Sequence, residues 1–277
     1  MIVLKEFPNK SFANKDLAMK ELKANKELII EAKKAEIYKS CDKGLSVAVN
    51  QEAILKTLGA NKFITLDKDY YYFAVNTSNI LDSHKDMHID GNWDKTVKEQ
   101  QGKVYLVFDH SLKRNDVIAM KSDIEMFTAY IPFSLVGKSY SGETYALIYK
   151  VKKDKIVNAE AKEWLEKGYD FEASVRMQYM DIDLALNSDA QGDEKELANF
   201  NKYYPLIANK DDFEDIYYLW IVKQAKNVME SSLVLFGSNP ATGTLEHKAE
   251  AEIITSENDE PLKDTQESKK SYYSHLI

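Results

Sequence analysis

The stretch DFEASVRMQYMDIDLAL, residues 170–186, decides how this chain is read. Its alternation and its content of β-branched and aromatic side chains are those of a strand. Directly before it, NAEAKEWLEKG at 158–168 opens on an N-capping Asn158, carries two acids early and closes on Gly168, which is the punctuation of a helix. The chain thus passes from a helix through a glycine into a long strand that carries Ser174.

Upstream, KVYLVFDH at 103–110 reads as a strand ending in Asp109 and His110, and NWDKTVKEQ at 92–100 as a short helix before it. Two more β runs, IAMKSDIEMFTAYIPF at 118–133 and ETYALIYKVKK at 143–153, lie between the histidine and the serine. From 43 to 75, LSVAVN and KFITLDKDYYYFAV are β-rich runs broken by the helix-like QEAILKTLGAN. Residues 14–36 place Leu17, Leu22, Leu28 and Ile29 at helical spacing among lysines and glutamates, an amphipathic helix suited to packing on the domain edge.

Downstream, 187–215 is a polar, acidic excursion, followed by the β-like YYLWIVKQAK at 217–226 and MESSLVLFGSNPA at 229–241. After 241 the apolar content collapses, and such a segment cannot offset its ordering entropy by burial. The expectation is one domain over 1–241 and a disordered tail over 242–277, with no internal repeat.

Composition narrows the function classes. A net charge of -8 and a pI near 5.3 lack the basic surface that phosphate binding needs, so nucleic acid is not the expected partner. Cys41 is the single cysteine; it has no partner for an internal disulfide and no zinc-ligand spacing, which points to a reducing cytoplasm. The opening MIVLKEFPNK has no signal-peptide core and no run of 18 apolar residues occurs, so neither secretion nor membrane spanning is expected.

Serine-protease chemistry needs a hydroxyl, an imidazole to take its proton and a third group that orients the imidazole. Ser174, His110 and Glu230 each lie in or at the end of an expected strand, the rigid support such a constellation needs. Spacing alone does not single them out, because an isolated serine on an alternating strand and a histidine at a strand end are commonly structural.

Four stretches, in order, single them out by likeness. NTSNILDSHKDMHIDGNWDKTVKEQ (76–100), KVYLVFDHSLKRNDVIA (103–119), EWLEKGYDFEASVRMQYM (163–180) and WIVKQAKNVMESSLVLFGSNPAT (220–242) resemble the tailed-phage prohead protease family, which is related in fold to the herpesvirus assemblins. The resemblance implies an α+β fold: a mostly antiparallel, barrel-like sheet with peripheral helices. It also implies His110 as general base, Ser174 as nucleophile and Glu230 as the orienting acid, with Asp109 and Asp181 as alternatives for the third place. No cofactor is implied. The implied substrates are scaffold and major capsid polypeptides inside the assembling prohead in the host cytoplasm, together with the ends of the protease itself, and the implied state is an oligomer within the prohead. The tail and the lysine-rich N-terminal helix are then candidates for packaging signals and self-cleavage sites.

The chain departs from the family where many members have a glycine soon after the serine: here stand Val175 and Arg176. By analogy with assemblins, the amides around Gly237 and Ser238 are the oxyanion candidates. Two rival readings accompany the first. One is a catalytically inactive assembly or scaffold-like head protein of the same fold. The other is a metal-dependent hydrolase using Asp82, His84, Asp86, His88 and Asp90, which would share one face of a strand, although the stretch also reads as a solvated loop. The aromatic run Tyr70, Tyr71, Tyr72 and Phe73 reads as core packing rather than as a platform for bases.

Overall fold

The computed structural model describes residues 1–39, 66–169, 171–235 and 243–245. In chain order its strands are β1 (Ile2–Leu4), β2 (Phe7–Phe12), β3 (Tyr38–Lys39), β4 (Tyr70–Thr77), β5 (Asp86–His88), β6 (Tyr105–Phe108), β7 (Val117–Ala119), β8 (Ile124–Pro132), β9 (Glu143–Lys152), β10 (Glu172–Leu186), β11 (Tyr218–Val234) and β12 (Gly243–Leu245). The helices are α1 (Lys15–Ala24), α2 (Lys26–Ala35), α3 (Asp94–Gln100), α4 (Ala159–Glu166) and α5 (Glu194–Tyr203).

A mixed sheet runs β3-β10-β11-β6-β7, with β5 also pairing β11, and a second, antiparallel sheet runs β12-β4-β9-β8. Their facing sides form the main core, where Leu106, Ala173, Val175, Tyr179 and Trp220 of the first sheet pack with Phe73, Val75, Leu147 and Tyr149 of the second. The fold is therefore α+β, as expected, with antiparallel and mixed pairing. The described strands do not close into a barrel, since neither sheet returns to its first strand.

β10 and β11 form the spine. They are antiparallel over almost their whole length, while β11 pairs in parallel with β5 at one end and with β6 at the other. The serine strand, the acid strand and the histidine strand are therefore immediate neighbours in one sheet.

The helix read over 14–36 is two. Asn14 caps α1 by accepting the Leu17 amide, and Asn25, with φ of −107° and ψ of 11°, ends α1 before α2 begins. The break changes which residues face inward: Leu22 and Ile30 are buried, whereas Leu17 and Leu28, placed on the apolar face by spacing, are exposed. Lys26 bonds Asp183 at 2.9 Å and Glu196 at 2.8 Å, fastening α2 to β10 and α5. Burial works to raise the Asp183 carboxyl, but hydrogen bonds from Lys26, Lys195 and Lys223 outweigh it and hold it well below the usual range.

The excursion over 187–215 contains α5, whose Phe200 and Tyr203 pack with Met87, Leu219 and Ile221 in a satellite core. β12 pairs Gly243–Leu245 with Ala74–Tyr72. Residues 246–277, the runs LSVAVN and QEAILKTLGAN, and Cys41 lie outside the described residues. Tyr71, Tyr72 and Phe73 are buried in the cores, in keeping with packing.

Candidate active site

Three aromatic rings set the histidine and serine strands against each other. Asn158 caps α4 by accepting the Ala161 amide, and Gly168, at φ 68°, ends it in the left-handed conformation that an L side chain seldom adopts. The chain thereby folds back so that Trp164 stacks on Phe171, with centroids 5.5 Å apart, and meets Phe108 edge-on at 5.9 Å. Phe171 precedes Ser174 by three residues and Phe108 precedes His110 by two.

At the end of β6, Asp109 and His110 both take positive φ, 47° and 55°. Aspartate and histidine are among the few non-glycine residues enriched there. The Asp109 amide donates to Leu233 O at 3.1 Å and the Ser111 amide to Phe108 O at 2.8 Å, so the turn is tied to β11 on entry and closed on itself on exit.

β11 supplies the acid through an irregularity. Val175 pairs Ser231 and Met177 pairs Asn227, so Arg176 alone spans the three residues Val228, Met229 and Glu230. Met229 sits at φ 72° in this bulge. Asn227 anchors it from below, donating to the Tyr149 hydroxyl at 2.5 Å and to Ser231 Oγ at 3.1 Å, while its own amide donates to Thr96 Oγ1 at 3.2 Å.

On the face away from the main core, the three expected site residues come together. His110 Nδ1 lies 2.9 Å from Glu230 Oε1, and His110 Nε2 lies 2.9 Å from Ser174 Oγ. A carboxylate only accepts, so Nδ1 carries the ring proton and Nε2 is left to accept from the serine hydroxyl. This is the orientation in which an imidazole takes a proton from an alcohol and its positive charge is met by the acid.

Sequence reading missed a fourth member. Ser232 Oγ accepts the His110 amide at 2.9 Å and donates to Glu230 Oε2 at 2.7 Å, so both carboxylate oxygens are occupied. Its only sequence signal is a place two residues after Glu230 on the same strand, hence on the same face. Glu230, Ser232 and Ser174 are at most 1% exposed and His110 is 6% exposed. In such surroundings charge interactions are little screened by water.

The two alternative acids are elsewhere. Asp109 is exposed on the turn, and Asp181 is exposed on β10 opposite Gln224, seven residues beyond Ser174. Gly237 and Ser238 lie outside the described residues. Arg176, two residues after Ser174 on the same strand, has a buried Nε–H with no acceptor among the described residues.

The Asp/His row does not share one face. Only Asp86–His88 is strand; Asp86 takes Lys33 at 2.5 Å and the Tyr179 hydroxyl at 2.9 Å. His88 stacks on Trp93 and bonds Asn92, and burial pushes its imidazole down to about 3. Asp90 accepts from Ser78 and Tyr130, Asp82 accepts the amides of His84 and Asp86, and His84 lines a separate surface cleft with Lys5 and Glu6. Among the described residues, no group of three or more His, Cys, Asp or Glu side chains is arranged to hold a metal ion. Nor is any described helix long and apolar enough to cross a membrane.

No protein-family model, no curated protein and no solved structure matches this chain.

Proposed function

We propose that the chain is a serine endopeptidase of the kind that matures tailed-phage proheads, cutting scaffold and major capsid polypeptides and its own ends. The observation that carries this reading is the unbroken relay from Glu230 through His110 to Ser174, with both contacts to the ring at 2.9 Å. Three side chains drawn from distant positions and three strands meet in the order that general-base catalysis requires.

In this reading His110 Nε2 takes the proton of Ser174 Oγ as the oxygen attacks a peptide carbonyl. The proton then passes to the leaving amine, and water, activated in turn by His110, hydrolyses the acyl-enzyme. Glu230 keeps Nδ1 protonated and faces the imidazolium, while Ser232 keeps Glu230 from turning away. The Arg176 guanidinium supplies a donor for the oxyanion, which would compensate for the missing glycine after the serine. The prohead setting, the oligomer within it, the host-cytoplasm location and the kinship with the assemblin barrel come from the four-stretch resemblance and belong to the same proposal.

A second reading is favoured by one observation. Ser174 is only 1% exposed, so a polypeptide reaches its hydroxyl only after something moves aside. A head protein that retains the relay but cleaves nothing would look the same. Mass spectrometry of the full chain, expressed alone and with a capsid protein, separates the two. The protease reading expects shortened products with wild type and none with Ser174→Ala; uncut wild type, or products that persist in the variant, would support the silent protein instead.

A further inference from the structure

We propose that Thr96 and Asn227 are positioning residues of the relay: they clamp β11 just before the bulge and so decide where the Glu230 carboxylate stands against His110. The proposal rests on the endopeptidase reading and deepens it by naming what holds its acid.

The clamp begins at a gap in pairing. On the side away from β10, β11 pairs with β5 over Trp220–Val222 and with β6 over Glu230–Leu233, and among the described residues no strand pairs with 223–229 on that side. Ala225 and Asn227 are buried there, and their backbone groups need partners. Helix α3 and the residues leading into it supply them. The Ala225 amide donates to Asn92 O at 3.1 Å, Ala225 O accepts from Thr96 Oγ1 at 2.9 Å, and the Asn227 amide donates to Thr96 Oγ1 at 3.2 Å. One buried hydroxyl thus stands in for a missing strand and fixes β11 up to the last residue before the bulge.

The helix is itself held by the second sheet. Trp93 is fully buried and donates from Nε1 to Asn76 Oδ1 of β4 at 2.9 Å, and Asp94 accepts the Tyr145 hydroxyl of β9 at 2.7 Å.

On the core side, the Asn227 side chain spans the bulge. Its Nδ2 reaches the Tyr149 hydroxyl of β9 and also Ser231 Oγ, on the first residue after the bulge. Both ends of the inserted segment are thereby held to each other and to the second sheet, and Glu230 is the last residue within it. An amide kept for stability alone would have both its ends paired, yet Asn227 Oδ1 is buried with no partner among the described residues. What the amide secures is the shape of the bulge. The effect passes through Glu230: Asn227 and Ser231 pair with Met177 and Val175, which pack in the main core, whereas Glu230 meets His110 on the opposite face. A misplacement of about 1 Å at the chemistry costs up to about 10²-fold in rate.

The test uses the full-length protein, a small fluorophosphonate that reports on Ser174, and proton NMR of the His110 ring. A proton held between Nδ1 and a carboxylate is strongly deshielded, and its signal is assigned by its loss in His110→Ala. Thr96→Val keeps the shape of the side chain and removes the hydroxyl, whereas Thr96→Ser keeps the hydroxyl. Rates are compared per folded molecule, well below the melting temperature. Thr96→Val is expected to label about ten-fold or more slowly and to shift or broaden the Nδ1 signal, and Thr96→Ser to label within about two-fold of wild type with the signal in place. Should Thr96→Val misfold, Asn227→Ala gives the same two readings without touching α3. Labelling by Thr96→Val at the wild-type rate, whatever its melting temperature, or labelling by Thr96→Ser as slow as by Thr96→Val, would make Thr96 a purely structural residue and overturn the proposal. Where exchange with water removes the signal from wild type, the labelling rates alone decide. A wild-type chain that takes no label at Ser174 would overturn the endopeptidase reading and the clamp with it.

Discussion

Ser174 and Ser232 are register partners across the β10–β11 ladder, and they take opposite ends of one imidazole: Ser174 Oγ lies 2.9 Å from Nε2 and Ser232 Oγ 3.3 Å from Nδ1 of His110. The sheet has placed two hydroxyls side by side and given them different work. One is offered to a base, and the other is spent on holding the base and its acid in place.

That division predicts unequal outcomes. Ser232→Ala leaves the His110 amide without its acceptor and Glu230 Oε2 without its donor, and an unsatisfied buried group costs about 1–3 kcal/mol. Thermal unfolding should show the loss, and cleavage should fall but remain measurable. Ser174→Ala, which also takes a buried partner from His110 Nε2, should abolish cleavage outright. Measurable cleavage by Ser174→Ala, or none by Ser232→Ala, would contradict the assignment.

Glu230→Gln keeps the shape of the side chain but can present an amide to Nδ1, which turns the imidazole to the wrong tautomer. The comparable change in a well-studied triad costs about 10⁴-fold in kcat, and a loss of about 10³-fold or more is expected here with the fold intact by circular dichroism. A change of less than ten-fold would move the orienting role off Glu230.

Much of this was legible beforehand. The alternation from Phe171 to Tyr179, the Asn158 cap and the Gly168 stop were visible because each acts over a few residues, and the structure places strand, cap and stop there. The break at Asn25 was hidden because Lys, Glu and Leu continue at helical spacing through it. Helix α5 was hidden in polar sequence because its buried face amounts to Glu196, Phe200 and Tyr203, one of them an acid rescued by Lys23 and Lys26. Ser232 and the bulge were beyond sequence reading because they depend on pairing between residues fifty or more positions apart in sequence.

The bulge gives a backbone test. Met229 holds φ 72° with its side chain half exposed, and a left-handed residue other than glycine carries a cost of roughly 1–2 kcal/mol. Met229→Gly should keep the melting temperature close to wild type, whereas the β-branched Met229→Val should lower it and slow cleavage by displacing Glu230. If valine is tolerated in both measurements, the bulge does not position the acid.

A pH effect is expected away from the relay. Burial, and next the carboxylate of Asp86, push Asp82 up to about 7. The folded state therefore holds this proton more tightly than the unfolded chain, and stability is lost as pH rises from about 4 towards 7. Asparagine at this position can still accept the amides of His84 and Asp86 through its oxygen. Asp82→Asn should flatten the decline in melting temperature between pH 5 and pH 8 and raise the value at pH 8 by several degrees. Parallel curves for variant and wild type would remove Asp82 as the cause.

The most direct measurement is the site of covalent modification by a small fluorophosphonate, mapped by mass spectrometry on the intact chain. An alcohol activated by His110 should carry the adduct at Ser174 in wild type, lose nearly all of its labelling rate in His110→Ala, and carry none in Ser174→Ala. Labelling that proceeds equally fast without the imidazole, or a wild-type chain that takes no adduct at Ser174, would contradict the account.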